Sequence, residues 1–486
     1  VEVFKILSSG SRTGGLMNIT KYLKELGYDT VNRSFYTLIA AWKSWYRSNV
    51  ANFHAYKVYS GKNYIRCKRH SMGMAKKVCE DIADMLLNEH VTITISDEHT
   101  STFVEGVLKA NKWQQLGNQF QEKKSATGTV AYVPYIENAE AENETGRIIE
   151  GSGDIKIDYV SAENIYPLSW SNDVVNECAF VFPKTYKNRN YAMIQIHVVE
   201  DGEYVIYNHL VETTNGASTE IEPDKWKDMQ PFSALAPKAA TGSSKRQFVV
   251  DKLNIANNFD DDNPMGLAIF ANGIDQLKGC DTAFDSYVNE FVLGKKRIFA
   301  GMDTMSEDIT GERVFDPDDV VFYKLPAEAM EGGKPIVESN MELRSEQHNK
   351  AINDFLNILS VKCGFGTEHY KFENGNITTA TQVISENSDL YRTIKKHEII
   401  LNDVMVELIQ IICRLGNVLG AGVKEDADIN IDFDDSIIED KATMRKEDRN
   451  DVAMGVMSLA EYRAKYYGET LEKAQSSLPE QEKVME

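Results

Sequence analysis

The chain has 486 residues, is 42% hydrophobic and 26% charged, and carries 74 acids against 53 bases for a formal net charge of −21. That length gives room for roughly two to four domains with sizeable cores, and the acidic balance argues against a free-standing, tight nucleic-acid binder. No window approaches the roughly 18 consecutive apolar residues of a membrane span, and the opening VEVFKILSSGSRTGG has no continuous apolar run or small-residue cleavage pattern, so no export signal is expected.

The first 60 residues read as helical. NITKYLKELGY (18–28) opens on an asparagine cap and ends at Gly27, and the next helix gathers Trp42, Trp45 and Tyr46 as core anchors. SMGMAKKVCEDIADMLLNE (71–89) puts Met74, Val78, Ile82 and Leu86 on one helical stripe and runs into VTITI, a strand by alternation and β-branching. Residues 146–212 change to short strands, GDIKIDYV, CAFVF, YAMIQIHVV and EYVIYNHLV. Residues 213–247 read as a long polar connection, a type that is functional or mobile.

Asn263-Pro264 then reads as a cap and first-turn proline for a long helix carrying Leu267, Phe270, Ile274, Leu277, Phe284, Val288 and Phe291, with Asp281 alone breaking the apolar series. Gly294 stops it. A compact β-bearing insert follows over 295–341, then a helix at 342–362 with Ile352, Phe355, Leu356 and Leu359. Next comes GFGTEHYKFENGNITTAT (364–381), glycine-rich and soft. The longest helix, 382–416, would be a rod of about 50 Å. The acidic run EDADINIDFDDSIIED (425–440) precedes a tail of short helices.

Motifs for chemistry are missing. Gly61-Lys62, Gly294-Lys295 and Gly333-Lys334 each lack the residue that would complete a phosphate-cradling loop, and there is no GxSxG elbow or HExxH pair. Asp426, Asp428, Asn430 and Asp432 alternate like the start of a calcium loop, but Ile431 stands where the turn needs glycine and Ile437 where the bidentate glutamate belongs. The run reads as a half-exposed strand with Ile429, Ile431 and Phe433 inward. Six scattered cysteines (Cys67, Cys79, Cys178, Cys280, Cys363, Cys413) without a CxxC pair point to reduced thiols in a cytosolic setting. The basic clusters Arg66–Arg69, Lys184 with Lys187 and Arg189, Lys295–Arg297 and Lys395-Lys396 are short and read as solvated patches. No enzymatic activity, cofactor or metal is expected.

The stretch DDDNPMGLAIFANGIDQLKGCDTAFDSYVNEFVLGKKRIFAG (260–301) resembles the portal proteins of tailed bacteriophages, especially of siphophages infecting Gram-positive hosts. AAWKSWYRSNVANFHAY, MAKKVCEDIADMLLNEHVTI, DIKIDYVSAENIYPLSW and NIDFDDSIIEDK match in the same order, so the resemblance touches most of the chain. It implies an α+β portal fold: an α/β wing over 1–263, completed by the long helix and following segment at 382–424; stem helices at 265–293 and 342–362; a small clip at 295–341; a tunnel loop at 363–381; and an acidic strand and helical crown over 425–486. It further implies a homo-oligomeric ring, usually of twelve, at one capsid vertex of the virion, assembled in the host cytoplasm. Double-stranded DNA would pass through its axial channel. Its partners would be the large terminase, a head-completion or adaptor protein, and the major capsid and scaffolding proteins, with no membrane.

On this reading Glu368, His369, Tyr370, Lys371, Asn374 and Asn376 belong to a channel loop, and Lys295, Lys296 and Arg297 to the clip–stem junction. A loop that approaches a moving duplex cannot be rigidly packed, and Gly364, Gly366 and Gly375 ease backbone change. Two other readings compete: a different ring-forming connector or baseplate protein, and a metal-dependent hydrolase using the 425–440 acids.

Overall fold

The computed structural model describes residues 19–59, 61–88, 91–138, 149, 151–213, 219–294, 297–301, 306–307, 313–314, 322–325, 336–339, 342–372, 380–433, 441–467 and 471–478. Helix α1 (Ile19–Glu25) leads into α2 (Arg33–Tyr46), whose cap Asn32 accepts from the Ser34 amide at 2.9 Å. A hairpin of β1 (Ala55–Tyr59) and β2 (Tyr64–Lys68) follows. Then come α3 (Met74–Leu86), β3 (Thr92–Ile95), α4 (Glu98–Ala110) and α5 (Trp113–Thr127). Trp42 and Trp45 are buried, as is the Met74, Val78, Ile82, Leu86 stripe, which faces one shared core.

Two sheets extend this core. β4 (Thr129–Glu137) lies between β5 (Asp154–Ser161) and β12 (Val249–Lys252). A meander of β6 (Ile165–Ser171), β7 (Val174–Tyr186), β8 (Arg189–Glu200) and β9 (Glu203–Glu212) forms the second. Residues 219–247 differ from the expected open connection. β10 (Thr219–Glu220) and β11 (Lys238–Ala240) both pair with β9 and cover its free edge. Between them α6 (Pro223–Trp226) seats Trp226, which with Phe232, Tyr191 and Leu210 forms a small satellite core. Two large aromatics in a polar stretch suffice to pin it, since each buried ring contributes about 1.5–3 kcal/mol.

Asn263-Pro264 does not start the long helix. Helix α7 begins at Ile274 and runs to Leu293, and Leu267 and Phe270 are buried in an irregular strap before it. The strap's polar groups are satisfied by the core instead of by helical turns. The Asn263 side chain accepts from the Met265 amide (3.0 Å), the Gly266 amide donates to Thr129 Oγ1 (2.8 Å), and the Ile269 amide donates to the Ser125 carbonyl (2.9 Å). At the crossing with the α5–β4 turn the backbones touch. A Cβ on Gly128 would lie 2.1 Å from the Gly266 carbonyl oxygen, and one on Gly266 would lie 2.3 Å from that of Gly128.

After α7 come the short strands β13 (Arg297–Gly301), β14 (Ser306–Glu307), β15 (Arg313–Val314), β16 (Phe322–Leu325) and β17 (Ile336–Ser339). β13 is central, parallel to β16 and antiparallel to β17, while β14 pairs with β15. Helix α8 (Ser345–Lys362) packs back on α7, and α9 (Ala380–Val418) is the longest at 39 residues. β18 (Ile429–Asp432) pairs antiparallel with β3, matching Ile431 to Ile93. Its Ile431 is buried while Asn430 and Asp432 are exposed, the alternation expected from the sequence. Three short helices close the chain, α10 (Lys441–Met454), α11 (Leu459–Tyr467) and α12 (Leu471–Ser476).

One fully buried ion pair ties α5 to β12. Lys124 Nζ lies 2.9 Å from Asp251 Oδ1, both side chains are wholly inaccessible, and Gln121 Nε2 donates to Asp251 Oδ2 at 2.8 Å. Loss of hydration pulls the Lys124 ammonium below its usual pKa. No described helix is long and apolar enough to cross a membrane, and all six cysteines are free thiols, five of them buried.

Candidate channel and assembly surfaces

The helix pair α7–α8 is set by a close approach and by one half-buried carboxylate, Glu290. Gly279 on α7 makes room for Phe355 on α8; a Cβ there would lie 2.4 Å from the ring. At the far end Glu290 accepts from Arg344 Nη2 (2.8 Å) and Nε (3.0 Å), with His348 Nε2 at 3.4 Å. The Arg344 hydrogen bonds are the main reason the Glu290 carboxyl drops to about 2.

Asp281, the residue that interrupts the apolar series, holds α7 to the first helical layer. It is 5% exposed. His54 Nε2 lies 2.9 Å from its Oδ2, Ser71 Oγ lies 3.0 Å from both oxygens, and the Met72 amide donates to Oδ1 at 2.8 Å. The Val50 amide donates to His54 Nδ1 at 2.9 Å, so the ring hydrogen sits on Nε2 and points at the carboxylate. One turn on, Asp285 accepts from the His70 amide (3.0 Å) and lies 2.9 Å from His70 Nδ1. These partners were not singled out from the sequence; the lone acid in an apolar stripe was the available signal.

α8 carries two apolar sides. Ile352, Leu356 and Leu359 are buried in the chain, while Phe355, Ile358 and Val361 recur every three residues and are 36–52% exposed. Phe291 and Val292 at the end of α7 are 46% and 52% exposed.

The glycine-rich segment departs from its expected looseness over its first half. Gly364 (φ +83°) and Gly366 (φ +82°) use left-handed backbone to fold the chain back along α8. A Cβ on Gly364 would also sit 2.7 Å from Thr393 Oγ1. Phe365 is buried between them. The amides of Glu368 and Phe372 donate to Asn357 Oδ1 (2.9 Å) and Asn353 Oδ1 (2.7 Å). The Tyr370 hydroxyl donates to Asp81 Oδ2 at 2.7 Å, and burial, aided by that carboxylate, raises its pKa strongly. The His369 ring stacks on Phe365 with centroids 4.5 Å apart, and Lys371 Nζ pairs with Glu368 at 2.8 Å.

Of the residues singled out for the channel loop, then, Tyr370 is anchored to α3, His369 is stacked, and Glu368 and Lys371 pair with each other at the surface. Asn374 and Asn376 lie outside the described residues, as do Lys295 and Lys296. Arg297 is the first residue of β13, opposite Ser339. Of the acids in the 425–440 run, Asp426, Asp428 and Asp432 are exposed and 434–440 lie outside the described residues. Among the described residues no three His, Cys, Asp or Glu side chains gather in a metal-holding group.

No curated protein matches the chain. The family model for phage portal proteins of the SPP1 Gp6-like type matches residues 28–484, from the end of α1 to the end of the tail. The match takes in the helical layer, both sheets, the α7–α8 pair and the long α9, and the chain belongs to that family of phage portal proteins.

Proposed function

We propose that copies of this chain stand side by side in a ring, twelve in the form usual for such proteins, at one vertex of a phage capsid. Double-stranded DNA enters and leaves through its central hole. In this reading α7 and α8 are the stem, residues 295–341 the clip, the layers before Pro264 together with α9 the wing, and the C-terminal helices the crown. The clip and its surroundings dock the large terminase during packaging and head-completion proteins afterwards, and the outer wing meets capsid and scaffolding subunits.

Besides family membership, the observation that carries this reading is the second apolar side of α8. Ile358 and Val361 lie open, beside Phe355 whose ring packs partly on Gly279, on a chain that is otherwise strongly charged. Covering each of them against a neighbouring copy would contribute on the order of 1 kcal/mol. The acidic balance fits a conduit. Twelve copies at −21 each carry −252 formal charges, and a bore without continuous basic stripes offers DNA no register at which to stick.

Negative-stain imaging and single-particle mass measurement test the proposal. Rings with a central hole are expected, and replacing Ile358 and Val361 by Ser should shift the mass toward single chains. A wild-type protein that stays a single chain at all concentrations rules it out. Deleting 300–340 should abolish ring assembly or motor docking.

A further inference from the structure

We propose that the β1–β2 hairpin is a docking surface for a nucleic-acid phosphate backbone, separate from the channel loop. Residues 30–79 contain ten Lys and Arg and not one Asp or Glu, in a chain where acids outnumber bases by 74 to 53. Half of those bases (Lys57, Lys62, Arg66, Lys68 and Arg69) fall on the hairpin and its turn.

The strand register sorts them. Lys57 is directly opposite Arg66, Tyr59 opposite Tyr64, and Ala55 opposite Lys68. With a two-residue side-chain period, one face therefore carries Lys57, Tyr59, Tyr64, Arg66 and Lys68. All five are exposed, and Tyr64 is 71% exposed. Among the described residues the three cations of this face have no ion-pair partner.

Like charges set directly opposite each other across two strands destabilise the pair, and an isolated two-stranded hairpin is marginal in water. The hairpin nonetheless stands out from the body with both faces largely uncovered. Its root is fixed. The Arg69 amide donates to the His54 carbonyl (2.8 Å), the Arg69 guanidinium lies 4.1 Å over the Phe53 ring, and His54 and His70 are held by Asp281 and Asp285. An unneutralised cation row on a rigid root is completed by an anionic partner.

Two features favour a nucleic acid over an acidic protein surface. The three charges are of one sign: Arg66 and Lys68 are two residues apart on β2, about 7 Å, with Lys57 directly across from Arg66, which suits neighbouring phosphates better than a mixed-sign protein rim. The tyrosine pair, with ring centroids 5.3 Å apart, places aromatic faces beside the cations, as sequence-tolerant nucleic-acid binders do. The site lies within one chain, so it does not depend on ring formation.

The test uses the full chain and a fluorescent duplex of about 20 base pairs, with binding read by anisotropy between about 50 and 200 mM salt. The wild type is expected to bind, with log affinity falling linearly against log salt. Lys57→Gln, Arg66→Gln and Lys68→Gln together should weaken binding at least tenfold and reduce the salt slope by about 2.7, the value for three lost phosphate contacts. Arg or Lys exchanges at the same positions should retain binding, and Lys184→Gln with Lys187→Gln on the second sheet should leave it unchanged. Exchange protection of the Met72 amide reports that the root remains folded. Wild-type protein without duplex affinity, or a triple variant with wild-type affinity and slope, overturns the proposal. A triple variant that changes only the particle mass overturns it in favour of an acidic surface on a second copy.

Discussion

Replacing Asp281 by Asn exchanges one oxygen for an NH₂ group at the best-connected carboxylate of the α7 junction. The Met72 amide approaches one oxygen and His54 Nε2–H the other, at 2.8 and 2.9 Å. An amide offers one acceptor oxygen and turns an NH₂ group toward whichever donor remains. Because the Val50 amide already occupies His54 Nδ1, the histidine cannot swap tautomer to accept. One charge-assisted hydrogen bond, worth about 1.5–3 kcal/mol, is lost, and a buried donor is left unpaired at about 1–3 kcal/mol, so a cost of roughly 3–5 kcal/mol is expected. At about 1.4 kcal/mol per tenfold, the segment around Met72 should open at least 100-fold more often. Native-state hydrogen exchange on peptides spanning 69–73 reads this directly. A His54→Phe background removes the opposing donor and should shrink the cost of Asp281→Asn by more than about 1 kcal/mol. Unchanged exchange at Met72 in the single variant would refute the reasoning.

Lys124→Met should destabilise the chain by about 3–5 kcal/mol in urea unfolding, because it strands Asp251 as an uncompensated buried charge; removing Asp251 in the same protein (Asp251→Leu) should restore part of the loss. His197 sits between the Phe180 and Phe248 rings with neither nitrogen hydrogen-bonded, and burial lowers it to about 3. The unfolded chain takes up that proton from about pH 6.5 downward and the folded chain does not, so stability falls as the pH falls. Going from pH 7 to pH 5 should cost about 2 kcal/mol on this account, and His197→Leu should flatten the profile by that amount. Gly279→Val should split α7 from α8, since even a Cβ meets the Phe355 ring at 2.4 Å. A destabilisation of about 1–3 kcal/mol is expected, partly reversed by Phe355→Ala.

Long periodic elements were legible because their burial follows one spacing. The Met74, Val78, Ile82, Leu86 stripe faces the core in α3, α9 is close to the expected rod, and β18 alternates as read. The start of α7 was not, because Leu267 and Phe270 fit a helical spacing equally well in a buried strap. Only contacts with Ser125 and Thr129, far away in sequence, decide between the two. The docked half of the glycine-rich segment was hidden for a related reason. Asn353, Asn357 and Ser360 look like a solvent face of α8, yet they hold the amides of Phe372, Glu368 and Tyr370. Asp281 was visible as an anomaly, but its partner His54 lies 227 positions away. Arg66, Lys68 and Arg69 read as one short cluster, and only the register sets Lys57 of the other strand against Arg66.

The Gly128–Gly266 crossing has a mechanical consequence. Side chains yield by changing rotamer, whereas two main chains in direct contact have no such slack. The short segment 264–273 joins this crossing to α7, and the crossing lies at the α5–β4 turn, four residues from Lys124 of the buried Lys124–Asp251 pair. The root of the helix therefore has little room to shift at this point without moving the α5–β4 turn with it.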